Sequence, residues 1–128
     1  MPAEDVTITA VDSSMTTAQS WIPNDSATVS APAGGNLAGS VTFTLYATAN
    51  CSGPAVAGYS ATRPVAGASP QTVGTSFTTA ITTTGTTAYS WKVTWASTNP
   101  AQRGIANSCR ETSSVTVTNG GTATSTTP

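Results

Sequence analysis

The sequence predicts an all-β chain, an antiparallel β-sandwich of seven to eight short strands. Three observations carry this. Charged residues make up 7% of the chain, against about 25% in an average protein, and Thr, Ser and Ala take their place. Threonine is β-branched and polar, so it suits the wet face of a strand, whereas exposed helix faces favour Glu, Lys and Arg. Two runs alternate with a period of two: residues 40–46 set Val41, Phe43 and Leu45 against Thr42, Thr44 and Tyr46, and residues 87–96 set Tyr89, Trp91, Val93 and Trp95 against Ser90, Lys92 and Thr94. Turn signals divide the rest, and no helical pattern outlasts one turn.

Taken in order, Val6, Ile8 and Ala10 alternate with threonines as a first strand or extended arm, broken at Asp12 and Ser13. Residues 16–22 are extended and stop at Pro23-Asn24-Asp25. Residues 27–31 form a strand with Val29 inward, and Leu37 covers one end of the core after the Pro32–Asn36 loop. The strand at 40–46 ends in a loop around Cys51-Ser52-Gly53-Pro54. Residues 56–62 read as a weaker edge strand broken by Arg63-Pro64, and 73–82 as a strand through Phe77 and Ile81. The strong strand at 87–96 is followed by an Asn/Pro/Gly-rich loop over 97–108 and a last strand at 113–118 with Val115 and Val117 inward. The core set is therefore Val41, Phe43, Leu45, Phe77, Trp91, Val93, Val115 and Val117, with Val41, Phe43 and Leu45 packed opposite Trp91 and Val93.

A chain of 128 residues builds one domain with a modest core. The boundaries fall into an N-terminal arm (1–14), the sandwich (15–119) and a Gly/Thr/Ser-rich tail (120–128) that has nothing to bury and is mobile unless a neighbour holds it. The net charge of -1 offers no basic patch for phosphates, which argues against nucleic acid. No apolar run approaches the roughly 18 residues of a membrane span. Cys51 and Cys109 are the two cysteines. With no histidine and no CxxC spacing, zinc and redox readings are weak, and a structural Cys51–Cys109 disulfide is expected, implying an oxidising, extracellular setting.

Two segments carry a resemblance. GSVTFTLYATANCSGPAV (39–56) and TTAYSWKVTWAS with NSCRETSSVTVTN (86–97 and 107–119) resemble paired segments of the immunoglobulin-like repeats of large bacterial surface proteins. The matched residues are Val41, Phe43, Leu45, Tyr46, Cys51, Ser52, Gly53, Tyr89, Trp91, Trp95 (Tyr in the family), Cys109, Glu111 and Val117. The chain departs after Trp95, where Ser97-Thr98-Asn99-Pro100 replaces the usual Gly-Asp-x-Asn turn. The resemblance implies an immunoglobulin-like sandwich, an extracellular face and a spacer or display role, with no catalytic residues to carry over. Similar modules occur on tailed-phage virions.

Candidate chemistry is sparse. Without histidine, a serine nucleophile has Ser90–Lys92 as its one arrangement, and both residues fall on a polar strand face. Glu4, Asp5, Asp12, Asp25 and Glu111 are too scattered for paired-carboxylate catalysis or a calcium loop. Lys92, the single lysine, alternates with Trp91 and Val93 and so faces away from the core where a Lys–Asn isopeptide bond would form. Asn24-Asp25-Ser26 and Asn50-Cys51-Ser52 match the glycosylation sequon by accident of composition. Trp21, Tyr46 and Trp95 are the candidate interface residues, partly exposed at strand ends, and the tryptophans are the one feature that suits a glycan platform.

The expectation is a non-enzymatic structural or display module without cofactor or metal. Its first setting is the virion surface of a bacteriophage, as a capsid decoration or tail-associated protein. The N-terminus has no basic n-region or apolar h-region, so either a leader has been removed and Met1 added, or Met1 is native and the protein leaves the cell without one, as in a virion released by lysis. Neighbouring protein subunits are the partners, and host surface glycans the secondary candidates. The alternatives are a spacer or adhesion repeat of a bacterial cell-surface protein, and a carbohydrate-binding module.

Overall fold

The computed structural model describes residues 9–82, 85–106, 108–118 and 122–124. Among these residues there is no helix, and eight strands follow in order: β1 (Ser14–Thr16), β2 (Ser26–Val29), β3 (Leu37–Tyr46), β4 (Ala55–Gly67), β5 (Gln71–Gly74), β6 (Gly85–Ser97), β7 (Glu111–Val117) and β8 (Thr122–Thr124). All pairings are antiparallel.

The main sheet has four strands in the order β4-β3-β6-β7. Its centre is β3 against β6, the two runs with the strongest alternation. Val41 lies opposite Trp95, Phe43 opposite Val93 and Leu45 opposite Trp91. These residues were expected to face one another across the sandwich; they are instead cross-strand neighbours on one face of one sheet. The other face carries polar β-branched pairs, such as the Thr42–Thr62 hydroxyl contact of 3.1 Å. Across this sheet lies the two-stranded β2–β5 ribbon. One hydrophobic cluster joins Val29 of the ribbon to Val41, Phe43, Leu45, Tyr59, Tyr89, Trp91 and Trp95, with Phe77, Val73, Val93 and Val115 packed half-buried against it. Phe77 stacks on Trp91 at 6.2 Å and meets Tyr59 edge-on at 5.4 Å.

Three segments differ from expectation. Arg63 and Pro64 do not end the fourth strand, which runs through them to Gly67. Pro64 is tolerated because β4 is an edge strand, where a missing N–H need not break a ladder. The stretch expected as a strand at 73–82 is strand only to Gly74, with an isolated bridge at Ile81. Its partner there is Trp21, so residues 16–22 contribute the end of β1 and one bridge.

Gly39 shows why the core closes where it does. It has φ +154°, and a Cβ there would stand 2.0 Å from the Ala96 carbonyl and 2.8 Å from Trp95 Cη2. The missing side chain leaves the slot that the Trp95 ring fills.

Cys51 and Cys109 form the disulfide, with Cα atoms 6.1 Å apart and a sequence separation of 58. It fastens the turn after β3 to the segment entering β7. In the chain-entropy model a loop of this size contributes about 4 kcal/mol. Ser14–Thr16 pairs with Thr122–Thr124. Ser14, the last residue assigned to the arm, and the first residues assigned to the sandwich thus meet part of the tail; residues 1–8, with Val6 and Ile8 of the expected first strand, lie outside the described residues.

Candidate functional site

The second layer is narrower than the first, and it is held to the main sheet on one side. On the β5 side, Arg63 of β4 donates from Nε to the Gly74 carbonyl at 3.0 Å and from a terminal nitrogen to Ser76 Oγ at 3.1 Å. Tyr59 of β4 donates its hydroxyl to the Thr79 carbonyl at 2.5 Å. On the β2 side no described strand follows.

The ladder shows what that edge presents. Thr75 N–H donates to the Asp25 carbonyl at 2.9 Å, so Asp25 and Thr75 are a hydrogen-bonded pair. The register continues as Ser26↔Gly74, Ala27↔Val73, Thr28↔Thr72 and Val29↔Gln71. Hydrogen-bonded and non-bonded pairs alternate in an antiparallel ladder. Ser26 and Thr28 are therefore non-bonded positions, and their N–H and C=O groups point away from β5. The side chains follow the same alternation: Ala27 and Val29 turn to the core, while the Thr28 hydroxyl meets Thr72 on the solvent face at 2.8 Å.

Beneath this edge lies a groove of about 380 Å³, floored by Val41, Val93 and Trp95 and walled by residues 27–31 with Arg103, Ile105 and Ser108. A second hollow of about 230 Å³ shares Ala27, Thr28, Val93 and Ser108 with it and continues to Ser26, Trp91, Arg110 and Glu111. The far wall is the loop expected over 97–108, which folds back along β6: Trp95 and Ile105 exchange two backbone hydrogen bonds of 2.8 Å, and Val93 N–H donates to the Ser108 carbonyl at 2.9 Å. Gln102 and Asn99 anchor that loop by donating to carbonyls of residues 34–36. Ile105 keeps 53% of its surface exposed at the mouth.

The groove is polar at its two ends. Arg103 stands at the Ala31 end. At the Ser26 end, Glu111 of β7 meets Asp25, and its pKa is pushed up to about 7 from an ordinary 4.5. The side-chain hydrogen bond with Asp25 is the main cause, since a protonated Glu111 can donate and an ionised one cannot; burial and repulsion by Asp25 add to it. Asp25 Oδ2 is buried with no hydrogen-bond partner among the described residues.

The residues singled out in the sequence are distributed unevenly around this site. Trp95, expected as partly exposed, is 6% exposed and forms the groove floor. Trp21 is half-buried, edge-on to Tyr89 at 5.0 Å, and Tyr46 is half-buried on the face away from the core; neither lines the groove. Val41, Phe43, Leu45, Trp91 and Val117 are buried, and Phe77, Val93 and Val115 are half-buried. Ser90, expected on an exposed polar face, is 1% exposed: its Oγ accepts the Cys51 N–H at 2.8 Å beneath the disulfide turn. Lys92 lies opposite Thr44 on the non-core face. Asn24 of the first sequon uses both ends of its amide on the Phe77 backbone. Asp12 is exposed, and Glu4 and Asp5 lie outside the described residues. Among the described residues, no three His, Cys, Asp or Glu side chains gather to hold a metal, and no helix is long and apolar enough to cross a membrane.

Sequence reasoning missed the open edge, Arg103, Ile105 and the Asp25–Glu111 pair. Each depends on which strands become neighbours, and the one visible signal was the run 26–31, short, uncharged and without an internal proline. No protein-family model, curated protein or solved structure matches the chain.

Proposed function

We propose that this chain is an immunoglobulin-like display module that performs no catalysis and works through protein–protein contacts, with the surface of a bacteriophage virion as its setting. The observation that carries the reading is the outer β2 edge, with which no described strand pairs, over an apolar groove with Ile105 exposed at its mouth. A strand edge without a charge or proline to blunt it is a ready template for another chain. The exposed Val11, Met15 and Ile22 add apolar surface elsewhere. The immunoglobulin-like assignment itself rests on the strand motifs and the cysteine frame of the sequence.

The virion setting is preferred to a cell-surface spacer because Ser14 lies opposite Thr124. The chain enters and leaves the domain at one place, which suits a unit carried on a single anchor better than a bead in a linear string. The burial of Trp91 and Trp95 removes two rings from any glycan platform.

Immunogold labelling of particles and of cell envelopes from the source culture tests the setting. Label on purified particles is expected; label confined to envelopes overturns the virion reading in favour of the spacer.

A further inference from the structure

We propose that the outer edge of β2, with which no described strand pairs, accepts an extended strand supplied by residues 4–10 of a second copy of this chain. The inference rests on the display reading above and names the contact through which subunits join.

Four observations converge on this occupant. First, the acceptor is a backbone surface: Ser26 and Thr28 turn N–H and C=O groups outward, and the same alternation places Ser30 with them. An added strand would satisfy these groups by main-chain hydrogen bonds. Second, the lengths agree. The edge from 26 to 31 spans about 20 Å at the usual strand rise, and a seven-residue segment covers it. Third, the side-chain pattern agrees. Val6, Ile8 and Ala10 fall on one face of an extended segment, where they would meet Val93, Trp95 and Ile105; Thr7 and Thr9 fall on the other, beside the solvent-facing Thr28. Fourth, charge sets the direction. The segment is acidic at its start, with Glu4 and Asp5, and uncharged from Val6 to Ala10. The groove has Arg103 at the Ala31 end with no acidic residue in its lining, and at the Ser26 end Arg110 shares the wall with the Asp25–Glu111 pair. Arg103 has no acidic neighbour in that lining to offset it while Arg110 does, so the Ala31 end is the more positive and takes Glu4, and the incoming strand runs antiparallel to β2.

Head-to-tail addition of this kind is heterologous: each copy offers a donor at one site and an acceptor at another. It builds a ring or a row of subunits.

The test uses the full chain in sedimentation velocity over a concentration series, with amide hydrogen exchange on the same samples. The expected result is concentration-dependent association, with slowed exchange at Ser26, Thr28 and Ser30 as it proceeds. Ile8→Asp in the donor and Thr28→Pro in the acceptor should each weaken association at least tenfold. Arg103→Glu should weaken it about fivefold, as for a rim ion pair, and Glu4→Arg with Asp5→Arg should restore it. Ile8→Asp and Thr28→Pro act on opposite sides of the contact, so misfolding of one leaves the other to decide. A chain that stays monomeric throughout, or association untouched by Ile8→Asp, overturns the proposal. A chain monomeric alone but found on particles overturns this contact and leaves the display reading intact; self-association at β2 in a chain absent from particles does the reverse.

Discussion

The two long sides of the β2–β5 ribbon are built from similar short, polar-rich sequence, yet one is closed and the other open. On the β5 side, Tyr59 and Arg63 reach up from β4, bury an aromatic ring and bind the carbonyls of Gly74 in the ribbon and Thr79 beyond it. On the β2 side, the neighbour below is the folded-back loop carrying Arg103, Ile105 and Ser108, which sends no strand up to pair. The difference lies in chain order. β4 turns directly into β5 and can hold it, while β2 passes on to β3 through residues 30–36. An all-β layer is only as complete as its connections make it: no described strand pairs with either ribbon edge, and only the β5 edge is covered by side chains from the sheet below.

The comparison can be broken most directly at the closed side. Tyr59 is 5% exposed, packs edge-on to Phe77 and donates to Thr79. Tyr59→Ala should lower unfolding free energy by about 3–5 kcal/mol in urea titration. Gly39→Ala attacks the floor shared by both sides: the added Cβ meets the Ala96 carbonyl and the Trp95 ring. A loss of about 1–3 kcal/mol is expected, with a shift in Trp fluorescence. Arg63→Met removes the clamp's two hydrogen bonds but keeps a stem to pack; about 1 kcal/mol should go.

The open side responds to pH. Glu111 has its folded pKa raised to about 7. Between 4.5 and 7 the folded chain therefore holds a proton that the unfolded chain has released, and stability must fall as pH rises through that window. Tm should be higher at pH 5 than at pH 8, and Glu111→Gln, whose amide can donate to Asp25 at any pH, should flatten the difference. The smallest effect belongs to Thr28→Pro. The N–H it removes faces outward from the ribbon, so a change within about 0.5 kcal/mol is expected for the monomer. A loss as large as that of Arg63→Met would show the β2 edge to be paired after all.

What the sequence made legible follows the strength of the local pattern. β3 and β6 were readable because large apolar residues alternate with threonine and serine over several positions, and the disulfide followed from there being two cysteines and no histidine. Val29 was placed correctly for the same local reason, and Leu37 as the large apolar residue that follows the Pro32–Asn36 loop. Trp95 was misplaced because its burial depends on Gly39, a residue 56 positions earlier brought beside it by the β3–β6 register. Ser90 was misplaced because the Cys51 turn folds over it. The continuation of β4 through Pro64 depends on β4 being an edge, a fact of sheet order. The groove is a gap between elements, and a gap has no sequence signature of its own.

The pairing of Ser14 with Thr124 has a consequence for how the chain could be rewired. Two positions directly opposite each other in an antiparallel ladder lie about 5 Å apart. A linker of a few residues could join them, and its closure entropy would be small. New termini could then be opened in the exposed turn at Cys51-Ser52-Gly53, leaving the ladders on either side uncut. A circular permutant of this kind would start and finish beside the disulfide. Its folding would measure how far the order in which strands leave the chain, as distinct from their final neighbours, decides the structure.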